Sequence, residues 1–195
     1  MGRTGRPFAS EHWGLQPDII LTGKGIASGY APLGAILVAP RVVDAFEKGS
    51  AAFMHGFTYQ AHPVATAAGN AVFDYLEVHK LFEKVTPAGE ILRRSIARLE
   101  SHPHVGQVRG LGLLQGIEFV KEKASREPFA KGAGIAEKIR QAALEKNVLV
   151  YPGQGTVDGV RGDHLLLAPP FIINQSECEQ IANALQYALE KAFSA

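Results

Sequence analysis

The chain has 195 residues, 46% hydrophobic and 20% charged, a globular balance that supplies a core for one or two domains of roughly 150 residues each. Its 20 basic and 19 acidic residues leave a formal net charge of +1, which gives no electrostatic reason to expect nucleic acid or an anionic membrane as partner. Cys178 is the single cysteine; it excludes an internal disulfide and suits a reducing compartment. The N-terminal arginines precede no apolar run of the signal-peptide kind. No apolar run nears the roughly 20 residues that span a bilayer. These features predict a cytoplasmic protein with no membrane segment.

In chain order, residues 1–16 carry Gly2, Gly5, Pro7 and Gly14 without periodicity and read as a loop. Asp18 to Thr22 is a short apolar run ended by glycine, the pattern of a buried strand. Gly23 to Gly34 is too glycine-rich for a regular element, and Ala35 to Val38 reads as a second strand. Pro40 opens a short helix through Phe46, with Gly49 as its stop. After an unpatterned stretch from Phe53 to Pro63, one long helix is predicted from Val64 to about Val85. Its early alanines (Ala65, Ala67, Ala68, Ala71) predict close packing of another backbone. Thr86-Pro87 reads as the cap and first position of a further helix that carries Leu92, Ile96 and Leu99 on one face. The domain boundary is placed there, giving residues 1–85 and 86–195.

Val105 to Val120 reads as strand, turn (Gly110, Gly112) and strand. Ile135, Ile139 and Ala142 mark an amphipathic helix, Val148 to Tyr151 a strand, and Leu165 to Leu167 another. Ser176 with Glu179 forms a predicted capping box ahead of a last helix with Ile181, Leu185, Leu189 and Ala192 on one face. Helices on one side of a small sheet make this second part an α+β domain.

Among residues that could carry chemistry, Lys24 follows a buried strand directly and stands between two glycines. One reading is a surface loop lysine, the usual place for this residue type. The other is an amine held at a strand end, partly desolvated so that enough is neutral to attack a carbonyl. The glycines of GKGIASG and GLGLLQG fail the dinucleotide spacing by one residue, and Lys24 is followed by glycine rather than Ser or Thr, which rules out a phosphate-loop lysine. His55 and His62 are candidate general bases, although His62 before Pro63 also suits a role in ordering the loop and capping the next helix. Tyr30 and Tyr59 are placed where they could face a site, or simply lie in loops beside a core. No His/Cys/Asp/Glu grouping has metal-ligand spacing.

Four segments, in order, carry a resemblance: GRTGRPFA (2–9), PDIILTGKGIASGYAPLGA (17–35), HGFTYQAHPVATAAGNA (55–71) and LLLAPPFII (165–173). Together they resemble the class III (ω-type) pyridoxal-phosphate-dependent aminotransferases. The resemblance implies an α/β protein of fold type I: part of the large, cofactor-binding domain followed by an α+β small domain. It implies pyridoxal 5′-phosphate as cofactor, Lys24 as the residue that carries it as a Schiff base and moves the proton, and a homodimer in which Thr58 binds the cofactor phosphate of the neighbouring subunit. Amines and keto acids are the implied small-molecule substrates, with Tyr30 retained as a substrate-side candidate.

Members acting on α-carboxylated amino acids tend to carry an arginine three residues before the Pro-Pro pair, where this chain has Leu166. Arg161, on the glycine-rich DGVRGDH stretch, is the candidate replacement, as in the branch that uses ω-amino acids, amines and pyruvate; the bland reading pairs it with Asp158 or Asp163. The family's partner for the pyridine nitrogen, its Gly/Ser phosphate loop and its ring-stacking aromatic find no counterpart in these residues. The expectation is therefore a transaminase moving an amino group from an ω-amino acid or amine to a keto acid such as pyruvate. The alternatives are a decarboxylase or aminomutase relative, and a catalytically silent remnant that only packs or dimerises.

Overall fold

The computed structural model describes residues 1–194. Contacts divide the chain into two units, one of Met1–Gly2 and Arg6–Phe82, the other of Arg3–Gly5 and Glu83–Ala195.

In the first unit a short 3-10 turn at Ala9–Trp13 interrupts what reads in the sequence as plain loop. Two four-residue strands follow, β1 (Ile19–Thr22) and β2 (Ala35–Val38), paired antiparallel with Ile19 opposite Val38 and Thr22 opposite Ala35. Between them Lys24–Ala27 form a single 3-10 turn. Helix α1 (Pro40–Lys48) starts on proline and stops at Gly49 as expected. Helix α2 (Pro63–Val78) is capped by the His62 ring, whose Nδ1 accepts from the Ala65 N–H at 3.4 Å. The cap role of His62 is thus the one its sequence position suggested.

Buried side chains in this unit are few: Ile26, Ala27, Ala65, Leu76 and Leu81. Leu21 is 75% exposed and Ile36 62%, so β1 and β2 present apolar residues on surfaces that nothing in the unit covers.

The expected single helix over 64–85 is two helices. The chain turns at His79 and Lys80, the latter left-handed at φ 50°, and α3 (Leu81–Ala97) follows. Pro87 does not open a helix; it lies inside α3. An internal proline costs about 3 kcal/mol, but Val85, Leu92 and Ile96 on the same helix are fully buried, and burying such side chains contributes roughly 1.5–3 kcal/mol each. Tertiary packing overrides the local signal.

The second unit is built on an antiparallel sheet of order β3-β4-β6-β5: β3 (Val105–Leu111), β4 (Leu114–Phe119), β5 (Tyr151–Gly153) and β6 (Asp163–Leu167). On β4 and β6 alternate residues are buried, Gln115, Ile117 and Phe119 on one and Asp163, Leu165 and Leu167 on the other, as a strand with one covered face requires. Against it lie the buried residues of α3, of α4 (Ile135–Leu144) and of α5 (Gln175–Phe193), including Ile139, Leu185 and Leu189.

Two expectations shift here. Val148 and Val150 are buried but unpaired, and the edge strand begins at Tyr151. The capping box of α5 is Asn174 with Glu177, through Glu177 N–H to Asn174 Oδ1 at 3.0 Å and Asn174 N–H to Glu177 Oε2 at 2.8 Å. Glu179, expected in that role, instead accepts a 2.6 Å hydrogen bond from the Ser95 hydroxyl. Among the described residues no helix is long and apolar enough to cross a membrane.

Candidate functional site

Lys24 heads the 3-10 turn immediately after β1, with the preceding Gly23 extended. Its φ is +49°, and Ser28 at the far end of the turn has φ +48°. Left-handed backbone at two non-glycine residues four positions apart is unfavourable by of order 1–2 kcal/mol each and collects at functional segments. The turn is closed by the N–H of Ile26 on Gly23 O (3.3 Å), Ser28 on Gly25 O (3.3 Å) and Tyr30 on Ala27 O (2.9 Å).

Ile26 and Ala27 are buried beneath it while Lys24 is exposed. Helix α2 approaches this segment closely at Gly69, where a Cβ would stand 2.6 Å from Leu33 Cδ2 and 3.7 Å from Ile26 O. That is the close backbone packing that the small residues of α2 suggested.

Tyr30 lies six residues beyond Lys24 on the same segment and is 85% exposed. Thr58 lies in a different part of the unit, in an exposed turn of the loop between α1 and α2. A file of rings runs from α1 into that loop: Phe46 against Phe53 with centroids 5.6 Å apart, Phe53 against His55 at 5.7 Å, and His55 against Phe57 at 6.3 Å. His55 is therefore one ring of an aromatic file. Among the described residues no side-chain hydrogen bond or ion pair involves Lys24, Tyr30 or Thr58.

Arg161 belongs to the second unit, on the loop between β5 and β6. Of the two carboxylates its sequence neighbourhood offers, it takes Asp158, with Nε donating to Oδ2 at 2.8 Å. Asp158 also accepts the main-chain N–H groups of Arg161 (2.7 Å) and Val160 (3.0 Å) on Oδ1. The Arg161 N–H, then its guanidinium, then the Val160 N–H hold the Asp158 carboxyl down to about 2. Asp163 is engaged elsewhere: buried, it accepts from the N–H of Ala136 at 3.1 Å.

One residue escaped the reading of the sequence. Arg3 threads into the second unit, where its guanidinium donates to Pro169 O and lies 5.2 Å from the Phe171 ring centroid. Half-burial there lowers its pKa by desolvation. The usable signal was that Arg3 and the Pro169–Phe171 stretch belong to two of the four recognisable segments. Among the described residues no group of three or more His, Cys, Asp or Glu side chains is placed to hold a metal ion.

A lysine-bearing turn after a strand, followed by an α+β unit with an antiparallel four-stranded sheet, is the pattern that known proteins match. The sequence model of the family described as aminotransferase class-III matches residues 1–189, and the chain belongs to that family. An aminotransferase of Schizosaccharomyces pombe is 40% identical over 196 residues, covering 100% of this chain and 43% of that protein. The putrescine–pyruvate aminotransferase of Pseudomonas aeruginosa is 33% identical, with 100% and 41% covered. The amine transaminase of an uncultivated Pseudomonas species, solved with PLP bound, superposes with a TM-score of 0.87 at 35% identity, over 98% of this chain and 42% of that one.

The chain thus spans about two fifths of the length of these relatives. The fold is that of PLP-dependent transaminases of fold type I, and pyridoxal phosphate is the cofactor of the family.

Proposed function

We propose that this chain carries the cofactor-lysine portion of a transaminase that moves an amino group from an ω-amino acid or amine to a keto acid such as pyruvate. The observation that carries the reading is Lys24: an exposed amine in no ion pair among the described residues, on a left-handed turn directly after β1. A primary amine so placed is free to bond to the carbonyl of pyridoxal phosphate, so Lys24 fits the aldehyde end of the cofactor.

When bound, pyridoxal phosphate supplies an electron sink for the substrate carbon that bears the nitrogen. In this reading Lys24 Nζ would hold the cofactor and would take and return the proton of that carbon. The Thr58 hydroxyl donates to a phosphate oxygen, and in this reading it serves the neighbouring subunit of a homodimer. Tyr30 borders the substrate, and Arg161 offers its guanidinium to the keto acid's carboxylate. Leu166, where a fixed α-carboxylate arginine would otherwise stand, supports a donor without an α-carboxylate. The relative named for putrescine and pyruvate supports the same substrate class. The reading includes a cytoplasmic location.

The test is direct. The purified chain is mixed with pyridoxal phosphate, reduced with borohydride and digested. The expected result is cofactor mass on the peptide containing Lys24, lost in Lys24→Ala; an adduct spread over other lysines would sink the reading.

A second reading is favoured by the uncovered apolar residues of β1 and β2: the chain by itself packs against another polypeptide without turning over substrate. Absence of the Lys24 adduct, with a folded chain by circular dichroism, would select it.

A further inference from the structure

The Arg161–Asp158 pair is more than a surface salt bridge, because the loop is organised around it. Val157 N–H bonds to Arg161 O and Gly159 N–H to Gly155 O, both at 3.1 Å. Gly162, at φ +99°, lets the chain close where a Cβ would stand 2.3 Å from Thr156 Oγ1. The result is a self-contained turn with Asp158 at its centre, accepting three N–H donors.

The guanidinium is engaged by Nε only. Among the described residues neither Nη group is in a hydrogen bond or ion pair, and the side chain is 49% exposed. The end-on edge, Nη1 with Nη2, therefore remains open to a second carboxylate. An incoming carboxylate at that edge meets an anion already beside the cation.

Three donors keep Asp158 ionised at any working pH, so its charge is a permanent feature of the loop. Two effects compete. The Nε contact restrains the guanidinium, which favours binding slightly. The like charge a few ångströms from the incoming carboxylate opposes binding, and at effective dielectrics between those of a protein surface and water this is the larger effect.

We propose that Asp158 is the internal counter-carboxylate of Arg161, weakening that arginine's hold on a carboxylate and so narrowing its preference for a charged over an uncharged substrate end. The inference rests on the reading of Arg161 as the carboxylate receptor. Asp158 is in this scheme a positioning and specificity-setting residue; it touches no substrate.

The test uses Asp158→Asn in the full chain. The asparagine side-chain oxygen still accepts the two main-chain N–H groups, so the turn is kept, while the charge is removed. Pyruvate, with acetone as the uncharged control, is titrated against the Arg161 Nε–H resonance by NMR, assigned with Arg161→Gln. The expected result is pyruvate affinity raised roughly three- to ten-fold in Asp158→Asn, as removal of one nearby like charge requires, with acetone unchanged and the effect reduced by salt.

A merely structural role for Asp158 moves the affinity the other way, because a loosened loop binds more weakly. If pyruvate shifts the Arg161 resonance in the parent chain and Asp158→Asn binds it equally or less well, the inference is overturned while Arg161 stands as a receptor. If pyruvate shifts Arg161 in neither protein, both fall, and the Lys24 adduct is untouched by that outcome.

Discussion

Asp163 on β6 accepts the main-chain N–H of Ala136 at 3.1 Å and so caps α4 from 27 residues away. The residue at the cap position itself, Gly134, has φ +65° and no side chain with which to do it. Because Asp163 is buried, it serves the helix end and the sheet face together, with Gln154 Nε2 as a further donor at 3.3 Å. Asp163→Ala removes the acceptor and leaves a buried N–H without a partner, so the unfolding free energy in urea falls by about 1–2 kcal/mol. Asp163→Asn keeps an accepting oxygen and loses less than half as much. Equal losses in the two variants would show that charge, not the cap, is what matters.

The Arg3–Gly5 segment is held in the second unit by Gly112. At φ +54°, a Cβ on Gly112 would stand 2.7 Å from Arg3 O and 2.9 Å from Thr4 C, and the next N–H, of Leu113, donates to Arg3 O at 2.9 Å. Both obstacles are main chain and cannot rotate away. Gly112→Ala therefore costs about 1–3 kcal/mol and speeds amide exchange at Leu113. Gly159→Ala, with positive φ but nothing within 4 Å, isolates the backbone strain and costs about 1–2 kcal/mol; its Leu113 amide keeps the parent's protection.

Stability depends on pH through His102. Burial first, then the neighbouring His104, push its imidazole below the ordinary value of 6.5, with Lys123 adding to them and Glu190 opposing. Its Nδ1 accepts the N–H of His104 at 3.2 Å, and its ring lies 5.3 Å from that of Phe193 at the end of α5. The unfolded chain thus binds this proton more readily than the folded one, and stability falls as pH drops through 6.5 towards the folded-state value. Urea midpoints measured between pH 8 and 5 should decline over the lower part of that range, and His102→Gln should flatten the decline. A midpoint independent of pH in the parent chain would refute this.

Gly69 sets how closely α2 approaches the segment carrying Lys24. The atom in the way of a Cβ is Leu33 Cδ2, the mobile end of a side chain, and alanine is better than glycine inside a helix by about 1 kcal/mol. Gly69→Ala is accordingly near neutral in melting temperature and leaves cofactor trapping on Lys24 unchanged. Gly69→Leu overfills the contact, costs about 1–3 kcal/mol and lowers the yield of trapped cofactor. Equal yields from the two variants would separate the packing of α2 from the placing of Lys24.

The sequence by itself determined the family, because the four segments 2–9, 17–35, 55–71 and 165–173 are spelled locally and need no fold to be read. It also determined most elements whose signals are local: β2 at Ala35–Val38, the proline start and glycine stop of α1, and the His62 cap. Only the tertiary structure decided where local and distant effects disagree. Lys80 takes a left-handed turn with neither glycine nor proline to announce it. Pro87 sits inside α3 because burial on that helix outweighs one missing N–H. Asn174 takes the cap expected of Ser176, and Glu179 instead accepts from Ser95 on another helix.

At the candidate site the residue types were legible and their arrangement was not. Lys24 was visible as a lysine between glycines, whereas its left-handed backbone, on a turn that buries Ile26 and Ala27, was not. Arg161 was visible as a spare cation, whereas the choice of Asp158 over Asp163 followed from Asp163 being committed to α4, 27 residues away in the chain.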